Sequence, residues 1–246
     1  MQTMQLYYIR HAQSANNLLW AQTGSFDSRD ADPDLSSTGH QQAERLAQFL
    51  QDPYPAVTAL DTPPWDSQNV AGFGLSHLYC SLMIRAALTG TILAQALDLP
   101  LVAWPDIHEM GGIYQRDSET EERIGLPGKD RAYFEDHFPD LVLPSSLGDE
   151  GWWNRPYEER HERLPRAQRF LAELLERHGA TDDRVAIVSH GGFYNAFLRA
   201  LLKIPEELSG WFSLNNAAIT RVDFEEGELA IQYMNRVDYL PGELIT

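Results

Sequence analysis

Lysine, cysteine and long apolar runs are scarce in this chain, and each shortage excludes something. Cys80 is the one cysteine in 246 residues, so neither an intramolecular disulfide nor a cysteine-rich zinc site is available. No run of apolar residues reaches the roughly 18 needed to suggest a membrane span. The opening stretch, Met1 to Arg10, is short and polar for a secretion signal. The expectation is a soluble protein of a reducing cytoplasm, with no membrane partner. Bases are few: 19 against 36 acids, for a net charge of −17. That balance argues against a nucleic-acid partner, because phosphate backbones are gripped by basic faces. An anionic substrate would need positive charge concentrated in one pocket, against an adverse global field. All the cations except Lys129 and Lys203 are arginine. Arginine binds phosphate or carboxylate through two parallel hydrogen bonds.

What is present reads as a single domain over 1–246, with 43% hydrophobic and 22% charged residues. Leu6-Tyr7-Tyr8-Ile9 reads as a buried strand ending at Arg10. Residues 24–36 read as a loop, and Thr38-Gly39-His40-Gln41 as a helix start followed by Ala43, Leu46, Ala47 and Leu50 at helical spacing. The Pro- and Gly-rich stretch 52–74 reads as an irregular surface excursion. Strands are expected at 77–81, 101–104, 185–189, 217–224 and 229–234. Helices are expected at 83–97, over 157–178 with Pro165 inside, and from after His190 to about 202. Strands alternating with helices predict a three-layer α/β/α domain, its sheet mostly parallel with helices on both faces. Periodicity fails over 111–156. A structureless loop of that length is improbable in a compact domain, so an inserted helical cap is expected there.

Three features fall at equivalent places: Arg10-His11 after the first strand, Arg85 after the second, and His190 after the strand at 185–189. Groups just beyond the carboxyl ends of strands in such a sheet converge on one crevice. Two histidines and two arginines would meet there, next to the amino-terminal end of the helix that follows His190. That cluster suits a phosphoryl group carrying charge on three oxygens.

The motifs then carry a resemblance. Arg10-His11-Ala12-Gln13-Ser14-Ala15-Asn16-Asn17 resembles the Arg-His-Gly-Glu-Ser-x-x-Asn signature of the histidine phosphatase superfamily, also called phosphoglycerate-mutase-like. Asp34-Leu35-Ser36-Ser37-Thr38-Gly39, Ser81-Leu82-Met83-Ile84-Arg85-Ala86 and Ser189-His190-Gly191-Gly192 resemble three further stretches of that family, in the same order. The resemblance implies that His11 is the nucleophile, forming a phosphohistidine that water hydrolyses. It implies that Arg10, Arg85 and His190 bind the phosphoryl oxygens. Glu109 matches the position of a general acid, a role that favours a pKa raised toward neutrality. Ser14 and Asn17 would contact the phosphate or cap a helix. Thr23-Gly24 resembles a substrate-contacting pair of the mutase branch. No metal and no cofactor are implied, and a homodimer is compatible with the sequence.

Ala12 and Gln13 depart from the usual Gly-Glu. An alanine there fits if its φ stays negative, and Gln13 removes a charge near the histidine. The remaining histidines, His40, His77, His108, His137, His161 and His178, read as structural or solvated, and the charged run Glu158 to Arg163 as a solvated helix face. Tyr114 and the Trp152-Trp153 pair are candidates for substrate contact. The expected activity is metal-independent hydrolysis of a small phosphorylated metabolite. Phosphoglycerate mutase and a phosphate-binding pseudoenzyme are the alternatives. The stretch 111–156 carries five cations against ten acids, which favours hydrolysis over a mutase that must retain a doubly phosphorylated intermediate.

Overall fold

A computed structural model describes residues 2–25, 27–52, 66–205 and 207–246. Among these, seven strands form one sheet in the order β6-β3-β2-β7-β1-β8-β9. Inside it lies β1 (Thr3–Arg10), with β7 (Arg184–Ser189) parallel on one side and β8 (Ile219–Glu225) antiparallel on the other. Next to β7 come β2 (His77–Cys80), β3 (Leu101–Ala103) and the short β6 (Leu141–Val142), all parallel. The far edge is β9 (Glu228–Arg236), antiparallel to β8.

The run at 6–9 is continuously apolar because helices cover both faces of β1. Side chains alternate across a strand, so Tyr7 and Ile9 face one layer while Leu6 and Tyr8 face the other. The first layer holds α2 (Ser37–Gln51) and α3 (Ile84–Leu97), which contribute Leu46, Leu50, Ala86 and Leu93. The second holds α5 (Arg160–His178) and α6 (Gly191–Leu202), which contribute Phe170, Leu174, Phe193 and Phe197. The expected three-layer α/β fold is therefore what forms.

Several local features differ from the expectation. A helix not foreseen as such, α1 (Ala15–Thr23), starts from a capping box made by Ser14 and Asn17. The segment 111–156 is not purely helical. It holds a hairpin of β4 (Tyr114–Arg116) and β5 (Arg123–Gly125), one short helix α4 (Arg131–His137), and β6, which extends the main sheet. Its core combines Ile113 and Trp153 with Met83 of the parent domain, so it packs onto that domain directly. In the 52–74 excursion, residues 53–65 lie outside the described residues. The remainder is less superficial than expected, because Asn69 and Phe73 are buried against β1. Pro165 sits inside a continuous α5. Glu158 precedes that helix and is buried, so the run from 158 is not a solvated face at its start. Among the described residues no helix is long and apolar enough to cross a membrane.

Candidate active site

The parallel pairing of β1 with β7 puts Arg10 opposite Ser189, so the residues that follow each strand meet at the carboxyl edge. His11 takes its backbone N–H bond from this pairing, donating to the Ser189 carbonyl at 2.8 Å. Its ring centre lies 5.0 Å from that of His190. Arg85, in the first turn of α3, donates from Nε to His11 Nε2 at 3.2 Å. Arg10 sits beside them and donates to the Leu214 carbonyl, while its Nε is buried without a partner.

One hydrogen bond assigns the His11 tautomer. His11 Nδ1 lies 2.7 Å from the Ala12 carbonyl, which can only accept, so Nδ1 carries the proton and Nε2 the lone pair. Burial, then Arg85 and Arg10, hold the His11 pKa well below the usual histidine value, so the ring is neutral at pH 7. His190 Nε2 lies 2.6 Å from the Ser81 hydroxyl, and that hydroxyl also accepts from the Met83 N–H. The Ser81 hydroxyl keeps a second lone pair, so this contact fits either tautomer of His190, whose Nδ1 is buried and unpartnered. Burial and Arg85 also push the His190 pKa well down.

Glu109 comes from the loop after a 3-10 turn, Pro105–Ile107. Its Oε1 accepts from Met110 N at 2.7 Å and Phe193 N at 2.9 Å, and its Oε2 from Gly192 N at 3.1 Å. The amino-terminal donors of α6, expected to serve the substrate, are therefore partly used by this carboxylate. The loop is clamped from below. Arg166 makes a bidentate pair with Glu158 at 2.6 and 2.9 Å and donates to the carbonyls of Asp106 and His108. Glu158 in turn accepts from Gly111 N. This buried pair explains why Glu158 leaves solvent.

A cavity of about 410 Å³ opens over the cluster, walled by Arg10, His11, Arg85, Glu109 and, at its rim, Tyr114 and Trp211. Glu109 is its single acidic wall residue among the described residues. Ser14 and Asn17 both cap α1 and line this cavity, so the two readings of them coexist. His190 is fully buried behind the wall. Thr23 and Gly24 lie at the far end of α1 and do not line the cavity, nor do Trp152 and Trp153. Gln13 turns away: its Oε1 accepts from Ser36 at the start of α2. The charge difference at this position is thus directed toward α2 and not into the cavity. Ala12 keeps a φ outside the left-handed region and is buried against Leu35 and Ala43.

Four supporting residues were not singled out from sequence. Asn216 donates to the His11 carbonyl at 3.1 Å and to Asn17 Oδ1 at 3.2 Å. Ser81 orients His190. Arg29 lines the cavity and donates to the Tyr114 hydroxyl at 2.6 Å. Asp32 accepts from Ile84 N at 3.0 Å and lies 3.7 Å from Arg85 Nη1, while its Oδ2 is buried without a partner. Burial pushes this carboxyl up to about 7, against the opposing pull of Arg85. Its place beside the motif residues Asp34-Leu35 was the available signal.

The fold and this pocket define an α/β protein with a cationic crevice, lined by histidine and arginine, at the carboxyl edge of its sheet. The chain belongs to the histidine phosphatase superfamily (branch 1), whose sequence model matches residues 6–60 and 67–237. It is 27% identical to the 2,3-bisphosphoglycerate-dependent phosphoglycerate mutase 1 of Latilactobacillus sakei subsp. sakei, covering 95% of this chain and 90% of that protein. Among solved structures it is similar to phosphoserine phosphatase of Entamoeba histolytica in complex with 3-phosphoglyceric acid (TM-score 0.59, 18% identity, 97% of this chain and 100% of the other). It is also similar to a mycobacterial glucosyl-3-phosphoglycerate phosphatase (TM-score 0.58, 19% identity, 96% and 100%). At these identities the structural likeness speaks to the fold.

Proposed function

We propose that the protein hydrolyses a small phosphomonoester through a phosphohistidine on His11, without a metal. The observation that carries this reading is the neutral His11 ring, whose Nε2 lone pair faces the Arg85 guanidinium in an open, cationic cavity. His11 Nε2 attacks phosphorus in line, and the bond from phosphorus to the ester oxygen breaks. Arg10 and Arg85 take up charge on the equatorial oxygens, while His190 stands behind His11 with its ring 5.0 Å away. The departing oxygen receives a proton from Glu109. Water then attacks phosphorus, returns a proton to Glu109, and the nitrogen–phosphorus bond breaks to release phosphate and free His11. Oε1 of Glu109 already accepts two N–H groups, whereas Oε2 accepts one and keeps a lone pair for the travelling proton.

A phosphoglycerate mutase is the second reading, favoured by the curated relative. Against it, the cations of 111–156 are engaged away from the cavity. Lys129 lies over Tyr133, Arg155 over Trp153 and Arg123 over Tyr157, Arg116 pairs with Glu121, and Arg131 holds two carbonyls. None of them lines the cavity. The deciding experiment is phosphate release from p-nitrophenyl phosphate in excess EDTA, alongside 3-phosphoglycerate with a trace of the 2,3-bisphosphate. Hydrolysis that persists in EDTA is the expected result. Rapid isomer exchange with little free phosphate would replace it with the mutase reading. Tight phosphate binding without turnover on any ester would mark a pseudoenzyme.

Asp32 should set part of the pH dependence. Its carboxyl is neutral below about pH 7 and leaves the Arg85 charge uncompensated; above that pH it ionises and competes with the substrate phosphoryl group for Arg85. KM for an aryl phosphate should therefore rise through pH 7–8 in the parent protein and stay flatter in Asp32→Asn. An equal rise in both would exclude this role.

A further inference from the structure

We propose that His77, His178 and Asp183 form a second site, for one divalent ion of the zinc type, at the amino-terminal edge of the sheet. His77 opens β2, Asp183 immediately precedes β7, and His178 ends α5. The catalytic cluster follows the opposite ends of the same strands, so the two sites are separated by the length of the sheet. The three ligand atoms lie within 4.8 Å of one another. His178 Nδ1 is 2.8 Å from Asp183 Oδ2, and His77 Nδ1 is 3.8 Å from Asp183 Oδ1. Zinc held by nitrogen and oxygen at about 2.0–2.2 Å wants its ligand atoms roughly 3.3 Å apart. His77, with 40% of its side chain exposed, can supply that closure by rotating about its side-chain bonds.

The surroundings fit. Two imidazoles among three ligands select a zinc-type ion over magnesium or calcium, which prefer all-oxygen sites. The carboxylate lowers the net charge of the bound ion. The exposed side of His77 leaves room for a water as fourth ligand. His178 is buried and has a supporting partner in place: its Nε2 lies 3.1 Å from the Tyr79 hydroxyl. In the ion-free state Nδ1–H donates to Asp183 and Nε2 accepts from Tyr79. On binding, the imidazole proton moves to Nε2, Tyr79 turns from donor to acceptor, and Nδ1 is freed for the metal without net proton change. Of the neighbouring cations, Arg177 pairs with Glu173 and lies over Trp104, and Arg184 donates to the Phe73 carbonyl. Arg177 also lies 6.0 Å from the centre of the Tyr79 ring. A spacing search misses the site because its ligands come from positions 77, 178 and 183.

Calorimetric titration of EDTA-stripped, dialysed full-length protein with zinc chloride tests the site. One ion should bind per chain, and the melting temperature should climb with zinc concentration. His77→Ala alters a half-exposed side chain outside the core, and it should weaken binding about 100-fold; Tyr79→Phe should weaken it about 10-fold. His11→Ala should bind zinc as the parent does. Absence of stoichiometric binding, unchanged affinity in His77→Ala, or loss of binding in His11→Ala would each overturn the proposal. None of these outcomes depends on the phosphatase activity.

Discussion

Replacing His11 by alanine is expected to cut turnover by about 10⁴-fold or more, to the level left by binding and electrostatics alone. In the proposed reaction the Nε2 lone pair is the nucleophile, and the proton on Nδ1 is fixed by the Ala12 carbonyl. Because burial and two guanidiniums depress its pKa, His11 stays neutral well below pH 6.5, and its protonation should not limit the rate at mildly acidic pH. The measurement is single-turnover quenching with a labelled ester. The parent should show a burst of label on protein that is acid-labile and base-stable, as a nitrogen–phosphorus bond requires. The variant should show no burst and only that residual turnover while keeping its fold, since β1 is held by β7 and β8 independently of this side chain. A labelled, active variant would move the nucleophile elsewhere.

The second large effect concerns Glu109, and it can be provoked without touching that residue. A Cβ added at Gly192 would lie 2.2 Å from Glu109 Oε1. The carboxylate must therefore move from its three N–H donors. Gly192→Ala should lower kcat for an alkyl phosphate by about 10²- to 10³-fold, the size of a general-acid contribution. The loss should be much smaller for p-nitrophenyl phosphate, whose leaving group needs little protonation. Glu109→Gln should reproduce that contrast between esters. A uniform loss on both esters in Glu109→Gln would show that Glu109 organises the site and does not transfer a proton.

How much of this was readable beforehand follows from the range of the interactions involved. His11, Arg85 and His190 were placed together because each follows a strand, and a parallel sheet brings strand ends to one edge. α1 was not foreseen as a helix, although Ser14 and Asn17 carried its cap, because Asn16 and Asn17 make poor helix interiors. The stretch 111–156 defeated periodicity because its elements are very short, from β6 (Leu141–Val142) to α4 (Arg131–His137), and its Phe134, Phe138, Leu141 and Leu147 join the core of the main sheet. Glu158 read as solvated because its partner, Arg166, lies inside a helix whose charged residues otherwise face water.

The sequence alone determined the layered α/β architecture and the neighbourhood of His11, since both depend on local periodicity and on residues that directly follow strands. The tertiary structure decided which nitrogen of His11 bears its proton, that Gln13 turns toward α2, that Asp32 backs Arg85, and that positions 77, 178 and 183 meet. Those are distances and hydrogen bonds between groups far apart along the chain, and a spacing pattern carries no information about them until the backbone closes.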